Sequence, residues 1–92
     1  MSWTPDDETL DLIRHTAIQN AIEYEGKANP GSVIGRIMGM NTDLRPHGKL
    51  ISPLIASAVG DANSLAQSEG IKHLIGILED EAPHLLEKRE KK

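Results

Sequence analysis

Residues 10–26, LDLIRHTAIQNAIEYEG, decide the fold class. Leu10, Ile13, Ala17, Ala21 and Tyr24 recur at intervals of three and four, the spacing of one face of an α-helix. Ile18 and Ile22 widen that face. Just upstream, Thr4-Pro5-Asp6-Asp7 supplies a hydroxyl for the N-cap, a proline for the first helical position, and acids for the positive end of the helix dipole. Gly26 is the expected stop.

The same grammar repeats downstream. Asn29-Pro30-Gly31-Ser32 opens a second helix with Asn29 as cap, Val33, Ile34, Ile37 and Met38 as its apolar stripe, and Gly39 as terminator. Residues 40–45 read as a turn holding one helical turn capped by Thr42 or Asn41. Pro46 is placed to start a third helix bearing Leu50, Ile51, Leu54, Ile55, Ala58 and Val59. Pro53 inside it predicts a kink or a late start at Ser52, because proline lacks the amide and clashes with the preceding turn. Asn63-Ser64 reads as a loop. A fourth helix carries Ile71, Leu74, Ile75 and Leu78, weakened at Gly70 and Gly76 by about 1 kcal/mol each relative to alanine. Ala82-Pro83 breaks the pattern, and Leu85-Leu86 closes the last turn. The architecture expected is all-α, a compact bundle of four or five short helices over residues 1–86, with 87–92 a charged tail or linker that has nothing to bury.

Composition agrees. The 92 residues suit one domain, and the apolar set is aliphatic: ten Leu, ten Ile and eight Ala against two Val, no Phe, one Trp and one Tyr. The absence of cysteine removes disulfides and thiolate metal sites and fits a cytoplasmic protein. With no long apolar run and an acidic start, neither a membrane span nor a secretory signal is expected. The net charge of −4 is unevenly spread. Lys27, Arg36, Arg45 and Lys49 face only Asp43 between residues 26 and 60, a basic island between acidic flanks. A general nucleic-acid binder is usually far more basic, so this island is suited to a few phosphate contacts.

Catalytic and metal-binding patterns are missing from the sequence. Histidines 15, 47, 73 and 84 never pair at helical spacing, and Glu79-Asp80-Glu81 fan apart on a helix. No serine stands in a nucleophile pattern, and the glycines and lysine of residues 26–32 are in the wrong order for a phosphate loop. What remains is the mouth of the second helix. There the amides of Gly31, Ser32 and Val33 are expected to be free, with Lys27 and Arg36 nearby, an arrangement that attracts anions.

Ala17-Ile18-Gln19-Asn20-Ala21, Gly26-Lys27-Ala28-Asn29-Pro30 and Val33-Ile34-Gly35-Arg36-Ile37-Met38-Gly39 are joined in order by Leu44-Arg45, Asp61-Ala62-Asn63-Ser64-Leu65 and Ala82-Pro83-His84-Leu85-Leu86-Glu87. Together, over about residues 10–88, they resemble the N-terminal appended domain of archaeal-type glutamyl-tRNA synthetases. Gly60, Gly70, Gly76 and Gln67-Ser68-Glu69 depart from that pattern and leave the fourth helix's boundaries open.

The resemblance implies a parent enzyme whose Rossmann-type catalytic domain uses ATP and glutamate to charge tRNA. It also implies that this chain, ending before that domain, is an excised accessory piece with no cofactor of its own and no inherited catalytic residue. By analogy with helical domains of glutaminyl enzymes and amidotransferases, tRNA is the implied partner, seated by Lys27, Gly31, Ser32, Arg36, Arg45 and Lys49. That reading requires the four bases to converge in space. A docking module for another synthetase or adaptor protein, using Ile18, Ile22, Met38 and Met40 if the core leaves them free, is the alternative, and a structural spacer is the third reading.

Overall fold

The computed structural model describes residues 3–90, with side chains through residue 86. The described residues form five α-helices and one 3₁₀ turn and contain no strand: α1 (Asp7–Glu23), α2 (Pro30–Met40), the 3₁₀ turn (Thr42–His47), α3 (Gly48–Glu69), α4 (Ile71–Glu81) and α5 (Pro83–Glu90). The all-α expectation holds. The charged tail begins inside α5, whose backbone stays helical to Glu90, while Lys91 and Lys92 lie outside the described residues.

Asp6, not Thr4, caps α1. Its backbone is extended (φ −81°, ψ 175°) and its carboxylate accepts the Thr9 amide at 2.8 Å. Hydrogen bonds from the Thr9 side chain and amide hold the Asp6 carboxyl below the usual carboxylate range. An ionised carboxylate is a stronger acceptor at the positive helix end than a hydroxyl, so it displaces the threonine. Pro5 therefore sits outside the helix. Ile13, Ala17, Ile18, Ala21 and Ile22 are buried, whereas Leu10 and Tyr24 at the ends of the predicted stripe are 42% and 51% exposed.

The far end of α1 closes in a Schellman turn. The Gly26 amide donates to Ala21 O at 2.7 Å and the Glu25 amide to Ile22 O at 3.3 Å. Glu25 (φ 54°) and Gly26 (φ 82°) are both left-handed. At Gly26 the glycine is doubly required. A Cβ there would lie 3.2 Å from the Ala66 Cβ and 3.3 Å from the Gln67 Cγ.

Asn29 caps α2 as expected, accepting the Ser32 amide at 3.2 Å, with Pro30 at the first turn. The helix runs through Gly39 to Met40, so Gly39 is not the terminator. Asn41 ends it, with both its backbone and its side-chain N–H donating to Ile37 O (3.0 and 2.9 Å). Pro46 falls inside the 3₁₀ turn rather than at the start of the third helix, and Asn41 precedes that turn without a side-chain cap bond.

The larger correction concerns α3. It is one helix of 22 residues that contains Pro53, Gly60 and the Asn63-Ser64 pair expected to be a loop. Ile51, Ile55, Val59, Ala62 and Ala66 form an unbroken buried stripe. Pro53 and Lys49 are on the exposed side, where a carbonyl that loses its helical amide donor is not sealed in the core. Gly70 (φ 96°) separates α3 from α4 instead of lying within it, so only Gly76 weakens α4. The central α3 packs on α1, α2 and α4, and α5 folds back on α4 after the buried Ala82. The core is wholly aliphatic.

Candidate nucleic-acid interface

The four island bases occupy three separate places. Arg45 lies in the last part of the 3₁₀ turn and Lys49 in the first turn of α3, and together they line a broad open concavity of about 1090 Å³. Ile34 of α2, Pro46, Leu50 and Pro53 form its apolar lining, with His47 and Ser52 beside them. No carboxylate lines it. The acids of that end, Asp43 and Glu8, line a different hollow with Thr9 and Leu44. The short 3₁₀ turn thus sends its acid one way and its base the other.

Arg45 is held in place. Its Nε donates to Met38 O at 3.1 Å, which fixes the guanidinium against the end of α2 and leaves its two terminal nitrogens without a partner among the described hydrogen bonds. His47 is also fixed. Its ring stacks on Trp3 with centroids 3.9 Å apart and planes 7° from parallel. Neither Trp3 nor His47 carries a sequence signal beyond being the lone tryptophan and a histidine between Pro46 and Gly48.

Arg36 lies elsewhere. Two residues on from Ile34, it is rotated by roughly 200° around α2, and it lines a smaller hollow of about 280 Å³ with Leu12, Gln19, Met40 and His84. Lys27 is exposed on the connection between α1 and α2. That connection is pinned to α3 near Asn63 and Gln67, roughly 20–27 Å along the helix from Lys49 at 1.5 Å per residue. The four bases therefore do not form one patch, and the tRNA reading that needed all four to converge fails in that form, leaving only the Arg45 and Lys49 pair on a shared surface. None of them enters a salt bridge among the described residues, where Glu81 pairs with Arg14 and is within hydrogen-bond distance of His15.

The mouth of α2 is also less open than expected. The Ser32 amide donates to the Asn29 side chain and the Val33 amide to Asn29 O at 3.1 Å. Of the three amides expected to be free, only that of Gly31 has no described partner. The candidate docking residues fare similarly: Ile18 and Ile22 are 3% exposed and Met38 is packed against the core, leaving Met40 at 76%.

The connection carrying Lys27 is a built feature in its own right. Asn63 accepts the Ala28 amide and donates to the Ala28 carbonyl, both at 3.0 Å, and Gln67 donates to Gly26 O at 2.9 Å. Two of the sequence strings that carry the family resemblance, residues 26–30 and 61–65, thus meet in a two-bond clamp. Two others, residues 17–21 and 82–87, meet where Gln19 donates to Leu85 O at 3.4 Å.

Comparison with curated proteins gives the identity of that pattern. The chain is 37% identical over 86 residues to a glutamate–tRNA ligase of Thermococcus kodakarensis, covering 94% of this chain and 15% of the relative. It is 35% identical over 81 residues to that of Methanothrix thermoacetophila (88% and 14%), and 47% identical over 62 residues to that of Pyrococcus horikoshii (67% and 11%). The chain is a glutamate–tRNA ligase-related domain. It spans about a seventh of the length of the relatives it matches most fully. No family model matches this domain, and no solved structure matches it. No helix among the described residues of the domain is long and apolar enough to cross a membrane, and no group of three metal-ligating side chains occurs among them.

Proposed function

We propose that the domain is a non-catalytic accessory module of a glutamate–tRNA ligase that helps to seat tRNA beside the catalytic domain of its own parent chain. The parent would use ATP and glutamate, and the module none of its own. The observation that carries this reading is the pairing of Arg45 and Lys49 on one concavity free of carboxylates, in a chain of net charge −4 related to tRNA ligases. Arg36, Lys27, the Gly31 amide and the Ser32 hydroxyl supply secondary contacts, since they face other directions.

Two phosphate contacts lead to weak, salt-sensitive binding. Each neutralised phosphate releases counterions, so affinity falls about tenfold between about 50 and about 200 mM salt. Titrating labelled tRNA at those two ionic strengths tests this. Replacing Arg45 and Lys49 together with Gln is expected to remove most of the binding and flatten the salt dependence, while replacing Lys27 and Arg36 has a smaller effect. Binding unchanged by the Arg45/Lys49 pair refutes the proposal.

A further inference from the structure

We infer that the concavity between α2, the 3₁₀ turn and the start of α3 is a seat for an unpaired nucleotide, with the base against its apolar lining and the flanking phosphates on Arg45 and Lys49. This rests on the tRNA reading above and names the part of the RNA that the site takes. A duplex presents phosphates and sugars outward and hides the faces of its bases in the stack. Set against Ile34, Pro46, Leu50 and Pro53, those charged groups would lose water and gain no partner. An unstacked base has an apolar face to bury and a phosphate on each side, which matches a lining that combines apolar side chains with two cations. Leu50, 52% exposed at the rim, has no internal packing role that accounts for it.

The site is also ordered in advance. Arg45 is tied to Met38 O, so its planar guanidinium needs little further ordering to meet a phosphate or a base. His47, which lines the concavity, already forms one layer of a parallel stack with Trp3. An acidic, leucine-rich peptide would satisfy the same charges. It has no use for flat, pre-stacked rings.

Trp3 is the chain's single tryptophan and stacks on His47, which lines the concavity, so its emission is a probe beside the site. The 92-residue chain is titrated with an unstructured oligouridylate of about eight nucleotides, with a blunt RNA duplex of equal total charge, and with an acidic leucine-rich peptide. The strand is expected to change Trp3 emission and to bind about fivefold or more tighter than the duplex. Leu50→Ser, at an exposed position that tolerates polarity, is expected to reduce that preference, lowering affinity for the strand more than for the duplex. Lys49→Gln is expected to lower both affinities. Equal affinity for strand and duplex, an unmoved Trp3 signal at saturating strand, or tighter binding of the peptide overturns the inference. If tRNA still binds through Arg45 and Lys49 in those cases, the accessory tRNA role stands without it; if no RNA binds at all, both fall.

Discussion

The two connections that flank α2 are of similar length and do opposite things. Residues 24–29 turn inward. Left-handed Glu25 and Gly26 close α1, and Asn63 and Gln67 of α3 satisfy the backbone of Gly26 and Ala28 from the far side of the core. Residues 41–47 turn outward. Their backbone is satisfied locally, as in Leu44 N to Asn41 O at 2.9 Å, and one buried side chain, Leu44, anchors them. A connection whose hydrogen bonds are long-range is committed to holding helices together. One satisfied within itself leaves Arg45 and His47, with the adjacent Lys49, free to face a concavity.

That contrast breaks most readily at Asn63. Asn63→Ala leaves the amide and carbonyl of Ala28 partly buried without partners, and should lower unfolding stability by about 2–3 kcal/mol in urea denaturation. A loss below about 0.5 kcal/mol would mean that the clamp is ornamental. Next comes Gly26→Ala, expected to cost about 1–2 kcal/mol, because a positive φ and the Ala66 methyl at 3.2 Å both oppose a side chain. In the outward connection the ranking inverts. Arg45→Gln should change stability by no more than about 0.5 kcal/mol, since its bond to Met38 O is exposed. The same change should reduce the slope of log affinity for tRNA against log salt by about 0.9.

The smallest effect lies outside both connections and provides their control. Glu81 accepts from His15 Nε2 at 3.0 Å and from Arg14 Nη1 at 2.6 Å. The His15 hydrogen bond first, then the charge of Arg14, hold its carboxyl below the usual range. A lowered folded-state pKa favours the ionised form in the fold. The stability it adds is therefore present above the unfolded pKa and lost as pH falls through the folded one. Glu81→Gln should flatten the stability profile on the acid side of the carboxylate range and leave it unaltered near neutrality apart from a small offset. Urea midpoints measured across pH for both proteins decide this.

The sequence was legible at some local signals and not at others, such as Thr4, Gly39 and Pro46. The apolar spacing of α1, the Asn29 cap and the stop at Ala82-Pro83 are settled within one or two turns of chain. It misled where a local breaker sat on a long-range stripe. Pro53 and Asn63-Ser64 each read as an interruption, yet Ile51, Ile55, Val59, Ala62 and Ala66 gain more from continuous burial than those residues lose. Asn63 in particular is a poor helix former whose side chain works in the tertiary structure, bonding a residue 35 positions away.

By itself, then, the sequence determined that this chain is helical, that Asn29 opens one helix and Ala82-Pro83 ends another, and that four of its ten bases lie between residues 26 and 49 against one acid. Only the tertiary structure decided which bases share a surface. About 200° of helical rotation separates Ile34 from Arg36, and most of the length of α3 separates the connection carrying Lys27 from Lys49. Charge along a chain is additive, but charge in space depends on rotation and packing, and those come from contacts that no short window of sequence contains.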